Sequence, residues 1–281
     1  MEHHIRVERA GLDAEVATLT LDRRERFNSL DVRTARDLRK AALQLARDPG
    51  VRAVVIRGVH GVFCSGVDLK YVRAGGDPKD LGYLSPEKRG APTGYGAVFR
   101  QILEYLHSTI SEIRRAAKPF IAAVDGAAAA GGLGLALACD LVIASDRSTF
   151  EYAYFKTGLC GAESSTFFLP KLVGLQRAST LALLNPRLGA REAMELGLVS
   201  AVHPNDALDA EALALAGRLA SGPTAAMAAA KRLMNESAGV DRLDQHLDRE
   251  LDELGRVADG PDFAEGLTSF FEKSTPRFRG H

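Results

Sequence analysis

Two glycine-containing turns are the places in this sequence whose residue types and spacing could do chemistry. The first lies in CSGVDL (residues 64–69) and the second in AGGLG (residues 130–134). Each follows an apolar, strand-like run and precedes a predicted helix, so each leaves backbone N–H groups without an intrahelical partner. Two convergent N–H donors are what an oxyanion hole requires, because together they stabilise negative charge that develops on one oxygen. Small residues that let a helix pack closely against a strand would produce the same pattern.

One acidic residue, Glu163, stands where a helix is expected to begin, next to Ser164 and Ser165. A carboxyl group there could carry a proton, although the helix dipole alone also favours glutamate in a first turn. Cys64 and Ser65 lie in the first glycine turn, but no histidine partner is evident for either of them as a nucleophile. We therefore interpret Cys64 as a small buried hydrophobe and Ser65 as important only for its amide.

The elements that would position these residues alternate between strand and helix over most of the chain. Strands are predicted at residues 4–9, 14–21, 52–59, 119–124 and 140–144, and helices at residues 32–47, 98–115, 163–173 and 175–184. Residues 74–97, rich in Gly, Pro and charged side chains, are predicted to form a long loop, and residues 127–130 a loop of small residues. Later elements are all predicted to be helices, at residues 206–220, 223–237, 241–258 and 261–273. We expect a mixed region over 1–205 and an all-helical region over 206–281.

The composition argues against several classes of protein. The chain has 281 residues with 36 basic and 36 acidic side chains, so its zero formal charge does not favour nucleic acid or a membrane surface as a partner. No apolar run is long enough to span a bilayer, and the N-terminus lacks the apolar region of a signal peptide. The three cysteines lack metal-ligand spacing, so we expect no metal site and a cytoplasmic location with reduced thiols.

With these pieces in place, the sequence resembles the crotonase, or enoyl-CoA hydratase/isomerase, family nearly end to end. Four motifs in the family's order and spacing carry the resemblance: LDRRERFNSLD, VRAVVIRGVHGVFCSGVDL, KPFIAAVDGAAAAGGLGLALACDLVIAS and FFEKSTPRFRG. The resemblance implies an α/β fold, a spiral of repeated β-β-α turns in residues 1–205 followed by a helical trimerisation region in residues 206–281. It also implies a homotrimer or a dimer of trimers. The substrate would be an acyl-CoA thioester, with no cofactor beyond the coenzyme A of that substrate.

Residue by residue, the resemblance implies that the amides of Ser65 and Gly131 form an oxyanion hole that polarises a thioester carbonyl toward an enolate. It also implies contacts with the CoA ester through several further positions. These are Arg26, Phe27, Gly66, Val67, Asp68, Leu69, Phe270 and Lys273. Asp68 is in addition a good helix cap, and the ammonium of Lys273 would suit a phosphate of CoA, often that of a neighbouring subunit.

Two positions depart from the pattern of the family's hydratases. Those enzymes use two glutamates to activate water, and the matching residues here are Gly134 and Tyr154, so that no agent for this step is evident. Other members place one acid further on, before the next helix, and use it to move a proton between carbons. The matching residue is Ala162, which Glu163 follows. Because one residue rotates a helical side chain by about 100°, Glu163 would face the pocket only if this turn is rearranged.

We therefore expect an acyl-CoA enzyme that isomerises the double bond of an enoyl-CoA, with Glu163 as the proton carrier. Two alternatives stay open: an enoyl-CoA hydratase with unconventional acid/base groups, and a non-catalytic acyl-CoA-binding protein that keeps the oxyanion pocket. Tyr154 would fill the space of the missing glutamate or donate a hydrogen bond. Glu151 and His107 are interpreted as a surface acid and a helix-face histidine.

Overall fold

The computed structural model describes residues 4–11, 14–77, 79–80 and 94–280. The strands are β1 (Ile5–Ala10), β2 (Val16–Leu21), β3 (Ala53–Gly58), β4 (Val62–Cys64), β5 (Phe120–Val124), β6 (Ala127–Ala129), β7 (Leu141–Ser145), β8 (Thr149–Glu151), β9 (Leu188–Gly189) and β10 (Ala201–His203). The helices are α1 (Val32–Arg47), α2 (Leu69–Arg73), α3 (Tyr95–Arg115), α4 (Gly131–Ala138), α5 (Ser165–Val173), α6 (Leu175–Leu183), α7 (Ala190–Glu195), α8 (Leu208–Ala220), α9 (Thr224–Ser237), α10 (Leu243–Ala258) and α11 (Pro261–Glu272). Short 3-10 helices occupy Arg24–Arg26, Tyr154–Thr157 and Val240–Arg242.

The larger sheet has the order β1-β2-β3-β5-β7-β10 and is parallel except for the antiparallel β1–β2 pair. Strand β3 is packed on both faces, which explains the apolar run in its sequence. Val54 and Ile56 belong to the main hydrophobic core on one face, whereas Ala53 and Val55 pack on the other face, in a smaller cluster that includes side chains of α8. Residues 53–56, the part of the strand that is covered on both faces, carry only apolar side chains, which is typical of parallel sheets.

A second sheet has the order β4-β6-β8-β9. Strands β3, β5 and β7 of the larger sheet are each followed by a strand of the smaller sheet and then by a helix, which gives the units β3-β4-α2, β5-β6-α4 and β7-β8-α5. This confirms the predicted spiral of β-β-α turns. Residues 127–129, predicted as a loop, form β6 instead, because their backbone pairs with β4 and β8 on its two sides.

The helices after residue 205 pack against the spiral. Leu247, Leu254 and Phe263 belong to the main hydrophobic core, and α8 covers one face of the larger sheet. The ammonium of Lys231, buried on α9, donates hydrogen bonds to the Ile113 carbonyl oxygen at 2.8 Å and to a carboxylate oxygen of Asp140 at 2.7 Å. The C-terminal helices therefore complete the core as well as ending the chain.

The predicted boundaries agree closely with the observed ones. Helix α1 has the predicted bounds, and α3 begins at Tyr95, three residues before the predicted residue 98. Most of the predicted loop over 74–97 lies outside the described residues. No helix among the described ranges is both long enough and apolar enough to cross a membrane.

Close packing of α4 on β4 makes Gly132 a sensitive position. A Cβ atom there would overlap the carbonyl oxygen of Cys64, a backbone atom that has little freedom to move. We expect Gly132→Ala to lower the free energy of unfolding by about 2 kcal/mol or more, measured by urea denaturation. Gly217→Ala is the matched control, because nothing lies within 4 Å of that Cβ position in the middle of α8. Its expected effect is a gain of about 0.5–1 kcal/mol from helix propensity, so equal losses in the two variants would contradict this account.

Candidate active site

The two glycine turns of the sequence meet in the folded chain. Gly66 has a φ of 89°, a conformation that favours glycine, and a Cβ atom on it would lie 2.9 Å from the Ala130 side chain and 3.0 Å from the Gly131 nitrogen. Glycine at this position therefore allows the end of β4 to lie directly against the N-terminus of α4. The two glycine turns are therefore in contact in the folded chain.

The available amide of the first turn differs from the one expected. The Ser65 N–H donates to the Phe27 carbonyl oxygen at 3.3 Å, so it is already engaged. Val67 pairs with Leu30 as an isolated parallel bridge, in which the Asp68 N–H donates to the Leu30 carbonyl oxygen at 2.9 Å. Successive N–H groups of extended chain point to opposite sides, so the Val67 N–H faces away from Leu30, and it has no hydrogen-bond acceptor among the described residues. The expectation that Ser65 supplies a free donor is corrected, and Val67 takes its place.

The second turn supplies its amide through the start of a helix. Ala130, in a positive-φ conformation (φ 47°), donates its own N–H to the Glu151 carbonyl oxygen at 3.1 Å. Gly131 follows as the first residue of α4, where N–H groups have no partner within the helix. No acceptor for the Gly131 N–H is found in the described part of the chain. Gly131 thus remains a candidate donor, as the sequence suggested.

A cleft of about 350 Å³ opens beside the two turns. Eight of the eleven residues that the sequence analysis assigned to catalysis or to contacts with the CoA ester line it: Arg26, Phe27, Ser65, Val67, Asp68, Leu69, Glu163 and Phe270. Its remaining lining includes the apolar side chains of Phe99, Leu159 and Leu254, which suit an acyl or aryl group. Lys273 is not among the lining residues; it is exposed at the C-terminal end of α11.

Asp68 caps helix α2, which is one of the two roles that the sequence analysis proposed for it. Its carboxylate accepts hydrogen bonds from the N–H groups of Lys70 at 2.9 Å and Tyr71 at 3.1 Å, at the start of α2. The same carboxylate forms ion pairs with Arg23 at 3.0 Å and Arg26 at 3.8 Å. It is 3% exposed, so it holds Arg26 at the edge of the cleft without being available to a substrate.

The turn before α5 is rearranged in the way that Glu163 would require to face the cleft. Glu163 and Ser164 both have positive φ angles, 51° and 63°. Two such residues without glycine cost on the order of 1–3 kcal/mol each and persist only where the surroundings hold them. The side chain of Glu163 is buried, and its Oε1 lies 2.9 Å from the position that a Cβ atom on Gly131 would occupy. The carboxyl group therefore lies directly beside the second turn.

The two residues that match the hydratase glutamates both lie against Glu163. A Cβ atom on Gly134 would overlap the Glu163 carbonyl oxygen, so no side chain fits at that position of α4. The hydroxyl of Tyr154 donates to Glu163 Oε2 and also lies 3.0 Å from the Ala162 carbonyl oxygen. Tyr154 therefore fills the space and donates a hydrogen bond at once, the two roles proposed for it as alternatives.

Burial raises the pKa of Glu163 to about 8, and the negative charge of Glu250 acts in the same direction. The hydrogen bond from Tyr154 opposes these effects, because it stabilises the ionised form. At neutral pH the carboxyl group of the substrate-free protein therefore holds its proton. A pKa close to the working pH is what efficient proton transfer requires.

Other candidate groups are less suited to chemistry. Burial raises the pKa of Cys64 to about 12, so it stays a thiol, and it is fully buried as expected. Burial lowers the pKa of His107 to about 4, so it is neutral; it lies on α3 and is 8% exposed. Within the described ranges, no group of His, Cys, Asp or Glu side chains could hold a metal ion.

Glu151 is a second acid at the cleft that the sequence analysis assigned wrongly to the surface. It is 7% exposed and forms ion pairs with Lys156 and, at 3.2 Å, with Arg187. Burial alone would raise the pKa of Glu151, but these two cations hold it below its usual value. Glu151 is therefore a fixed carboxylate.

Comparisons with known proteins agree on one family. The family model described as enoyl-CoA hydratase/isomerase matches residues 11–88 and 96–281. The chain is 32% identical over 272 residues to 4-chlorobenzoyl coenzyme A dehalogenase-2 of Arthrobacter, covering 97% of this chain and 92% of that protein. It is 34% identical over 267 residues to 1,2-epoxyphenylacetyl-CoA isomerase of Escherichia coli, covering 94% and 95%. The crystal structure of an enoyl-CoA hydratase from Mycobacterium avium subsp. paratuberculosis superimposes with a TM-score of 0.83 at 32% identity, covering 98% of each chain.

The raised pKa of Glu163 predicts a pH-dependent cost to stability. The unfolded chain loses the Glu163 proton near pH 4.5 and the folded chain near pH 8, so between these values the folded state binds more protons. Stability from this group therefore falls as pH rises through that window. Glu163→Gln, which stays neutral, should match the parent near pH 4 and become progressively more stable than it toward pH 9. Chemical denaturation of both proteins across this range measures the difference, and a constant difference would contradict the assignment.

Proposed function

The chain belongs to the enoyl-CoA hydratase/isomerase family, whose members process acyl-CoA thioesters, and on that premise we propose that it isomerises the double bond of an enoyl-CoA. The observation that carries the proposal is the Glu163 carboxyl, which lies in an apolar cleft beside Gly131 with a pKa of about 8. One group of this kind can both remove and return a proton.

The proposed reaction begins with the thioester oxygen between the amides of Val67 and Gly131. Ionised Glu163 removes a proton from the carbon next to the thioester carbonyl of a 3-enoyl-CoA, and the electron pair of the broken C–H bond moves toward the carbonyl oxygen. The two N–H groups stabilise the charge on that oxygen. Glu163 then returns the proton to the far carbon of the original double bond, the double bond shifts by one position, and the carboxylate is regenerated.

Simple hydratase chemistry has less support. It would need a pair of acid/base groups to handle water, and the positions matching that pair are Gly134 and Tyr154. The space at Gly134 is taken by the backbone of Glu163. The other buried carboxylates that line the cleft are already paired with cations, Glu151 with Lys156 and Arg187 and Asp68 with Arg23 and Arg26.

Aryl dehalogenation, suggested by the name of one relative, also has less support. Displacement of a halide requires a carboxylate oxygen to form a covalent bond with a ring carbon, whereas isomerisation only requires the carboxylate to carry a proton. Both reactions need ionised Glu163, but the Tyr154 hydroxyl donates to Oε2 and leaves Oε1 alone for covalent attack.

We further propose that Arg26, Phe27 and Phe270 contact the CoA part of the ester at the edge of the cleft, where all of them lie. Lys273 is exposed and stands away from the cleft of its own chain, so we assign it to the CoA of a neighbouring subunit. An ammonium group at that site would pair with a phosphate.

The decisive measurement is turnover of 2-enoyl-, 3-enoyl- and aryl-acetyl-CoA thioesters, beside a binding assay. We expect interconversion of 3-enoyl- and 2-enoyl-CoA, with kcat/KM rising with pH and levelling off above about pH 8. Glu163→Gln should lower kcat by about 10²–10⁴-fold with nearly unchanged binding, whereas Glu195→Gln, an exposed acid on α7, should behave like the parent.

Three results would overturn or redirect this proposal. Tight CoA-ester binding with no turnover of any thioester would indicate a non-catalytic binding protein. Addition of water to 2-enoyl-CoA that survives Glu163→Gln would indicate a hydratase with unconventional groups. Isomerisation that survives the same substitution would remove Glu163 from the reaction.

We also propose that the region 206–281 assembles the chain as a homotrimer or a dimer of trimers. Leu233 and Met234 on α9 are 66% and 65% exposed in the single chain, which supports an apolar contact there. Sedimentation should give a mass of three or six chains, and Leu233→Gln combined with Met234→Gln should lower it. A parent protein that sediments as a monomer at micromolar concentration would contradict the proposal.

A further inference from the structure

A second buried glutamate, Glu250 on α10, contacts the turn that carries Glu163. It is 5% exposed, and both of its oxygens accept hydrogen bonds from the start of α5. Oε2 accepts from the Ser164 N–H at 2.8 Å, and Oε1 accepts from the Thr166 N–H at 3.3 Å and from the Thr166 hydroxyl. Ser164 and Glu250 are 86 positions apart in the sequence.

This turn needs an external support. Glu163 and Ser164 are both held at positive φ, and the side chain of Ser164 makes no cap for the helix that follows. Strained backbone of this kind relaxes unless other contacts over-determine it. The Glu250 carboxylate meets two N–H groups that would otherwise be unpaired at the N-terminus of α5, and its negative charge is favourable at that end of the helix dipole.

We propose that Glu250 is a positioning residue of the active site: its carboxylate holds the turn over residues 163–166 and so keeps the Glu163 carboxyl beside Gly131. The inference rests on the proposed function only for its effect on turnover. The clamp itself follows from the contacts of Glu250 with Ser164 and Thr166.

Glu250 also contributes charge to the site. Burial is the largest cause of the raised pKa of Glu163, and the negative charge of Glu250 raises that pKa further. The hydrogen bond from Tyr154 acts in the opposite direction. The groups that surround the two glutamates do not cancel this charge. Tyr152, Tyr154 and Cys64 near Glu163 have raised pKa values and are neutral.

Two histidines face Glu250 itself. His107 Nε2 lies 3.7 Å from Glu250 Oε2, and burial lowers the pKa of His107 to about 4, so it stays neutral. His246 Nε2 lies 3.6 Å from Glu250 Oε1 and 2.7 Å from the Thr166 hydroxyl oxygen. Asp248, on α10 as well, adds negative charge near His107. The candidate active site therefore depends on Glu250 both for the position of Glu163 and for part of the electrostatic field around it.

Three substitutions separate position from charge. Glu250→Gln removes the charge and leaves one oxygen for donors that now use two, so kcat should fall about tenfold or more, and the acidic limb of kcat/KM should move about one pH unit below its parent position. Glu250→Asp keeps the charge but shortens the side chain, so kcat should fall while the limb moves less. Glu253→Gln, an exposed acid on the same helix, is the matched control and should change neither.

The ionisation of Glu163 can also be followed without turnover. The infrared carbonyl band of its protonated carboxyl, identified by its loss in Glu163→Gln, should titrate near pH 8 in the parent and at lower pH in Glu250→Gln. If turnover survives Glu163→Gln but the titration midpoint of the Glu163 band is still lower in Glu250→Gln than in the parent, the proposed function fails and the role of Glu250 stands.

A folded Glu250→Gln protein with the parent's midpoint and kcat would overturn the inference. If Glu250→Gln does not fold, Thr166→Val replaces it, because this near-isosteric change removes only one donor to Glu250. It should lower kcat several-fold, and an unchanged kcat in that variant would equally overturn the inference.

Discussion

The packing of Glu163 against the N-terminal turn of α4 is the constraint to which the residues around the cleft conform. Its carboxyl group lies beside Gly131, and its backbone oxygen occupies the space over Gly134, so position 134 of the helix accepts no side chain. Tyr154 donates to the carboxyl from the opposite side. The positions where related hydratases would carry two glutamates are thus used to accommodate a single one, and burial of that one group raises its pKa to about 8. A site built this way suits one proton carrier better than a pair of groups that share a water.

The fold creates this site by repetition. The units β3-β4-α2 and β5-β6-α4 each pass from the larger sheet to the smaller one and then into a helix, so their strand-to-helix turns lie side by side. Because β4 pairs with β6, the turn at Gly66 rests on the turn at Gly131. Helix α10 of the C-terminal region also contributes to the site. Its Leu254 lines the cleft, and its Glu250 accepts a hydrogen bond from the turn before α5. Regions that the sequence separates at residue 205 therefore share both a core and a candidate active site.

Much of this was determined by the sequence alone, because the relevant physics is local. Apolar periodicity and caps located the helices to within a few residues, and Asp31 caps α1 through the Thr34 N–H at 2.7 Å. Apolar runs identified strands that are buried on both faces. The glycines at 66 and 131 marked the two turns, since only small residues allow two stretches of backbone to approach so closely. The absence of acids at 134 and 154 was also evident from the sequence.

Other features were decided only by the tertiary structure. Which amide of CSGVDL is free depends on the pairing of Val67 with Leu30 and of Ser65 with Phe27, contacts that span more than thirty residues and leave no local pattern. Whether Glu163 faces the cleft depends on two positive φ angles, which the neighbouring residue types do not favour and which contacts from α4 and α10 impose. Glu151 was mistaken for a surface acid because its ion pairs with Lys156 and Arg187 form only when the chain folds back on itself. Sequence pattern reports what each segment prefers by itself, whereas the direction of a single N–H group or carboxyl group is set by segments that only the fold brings together.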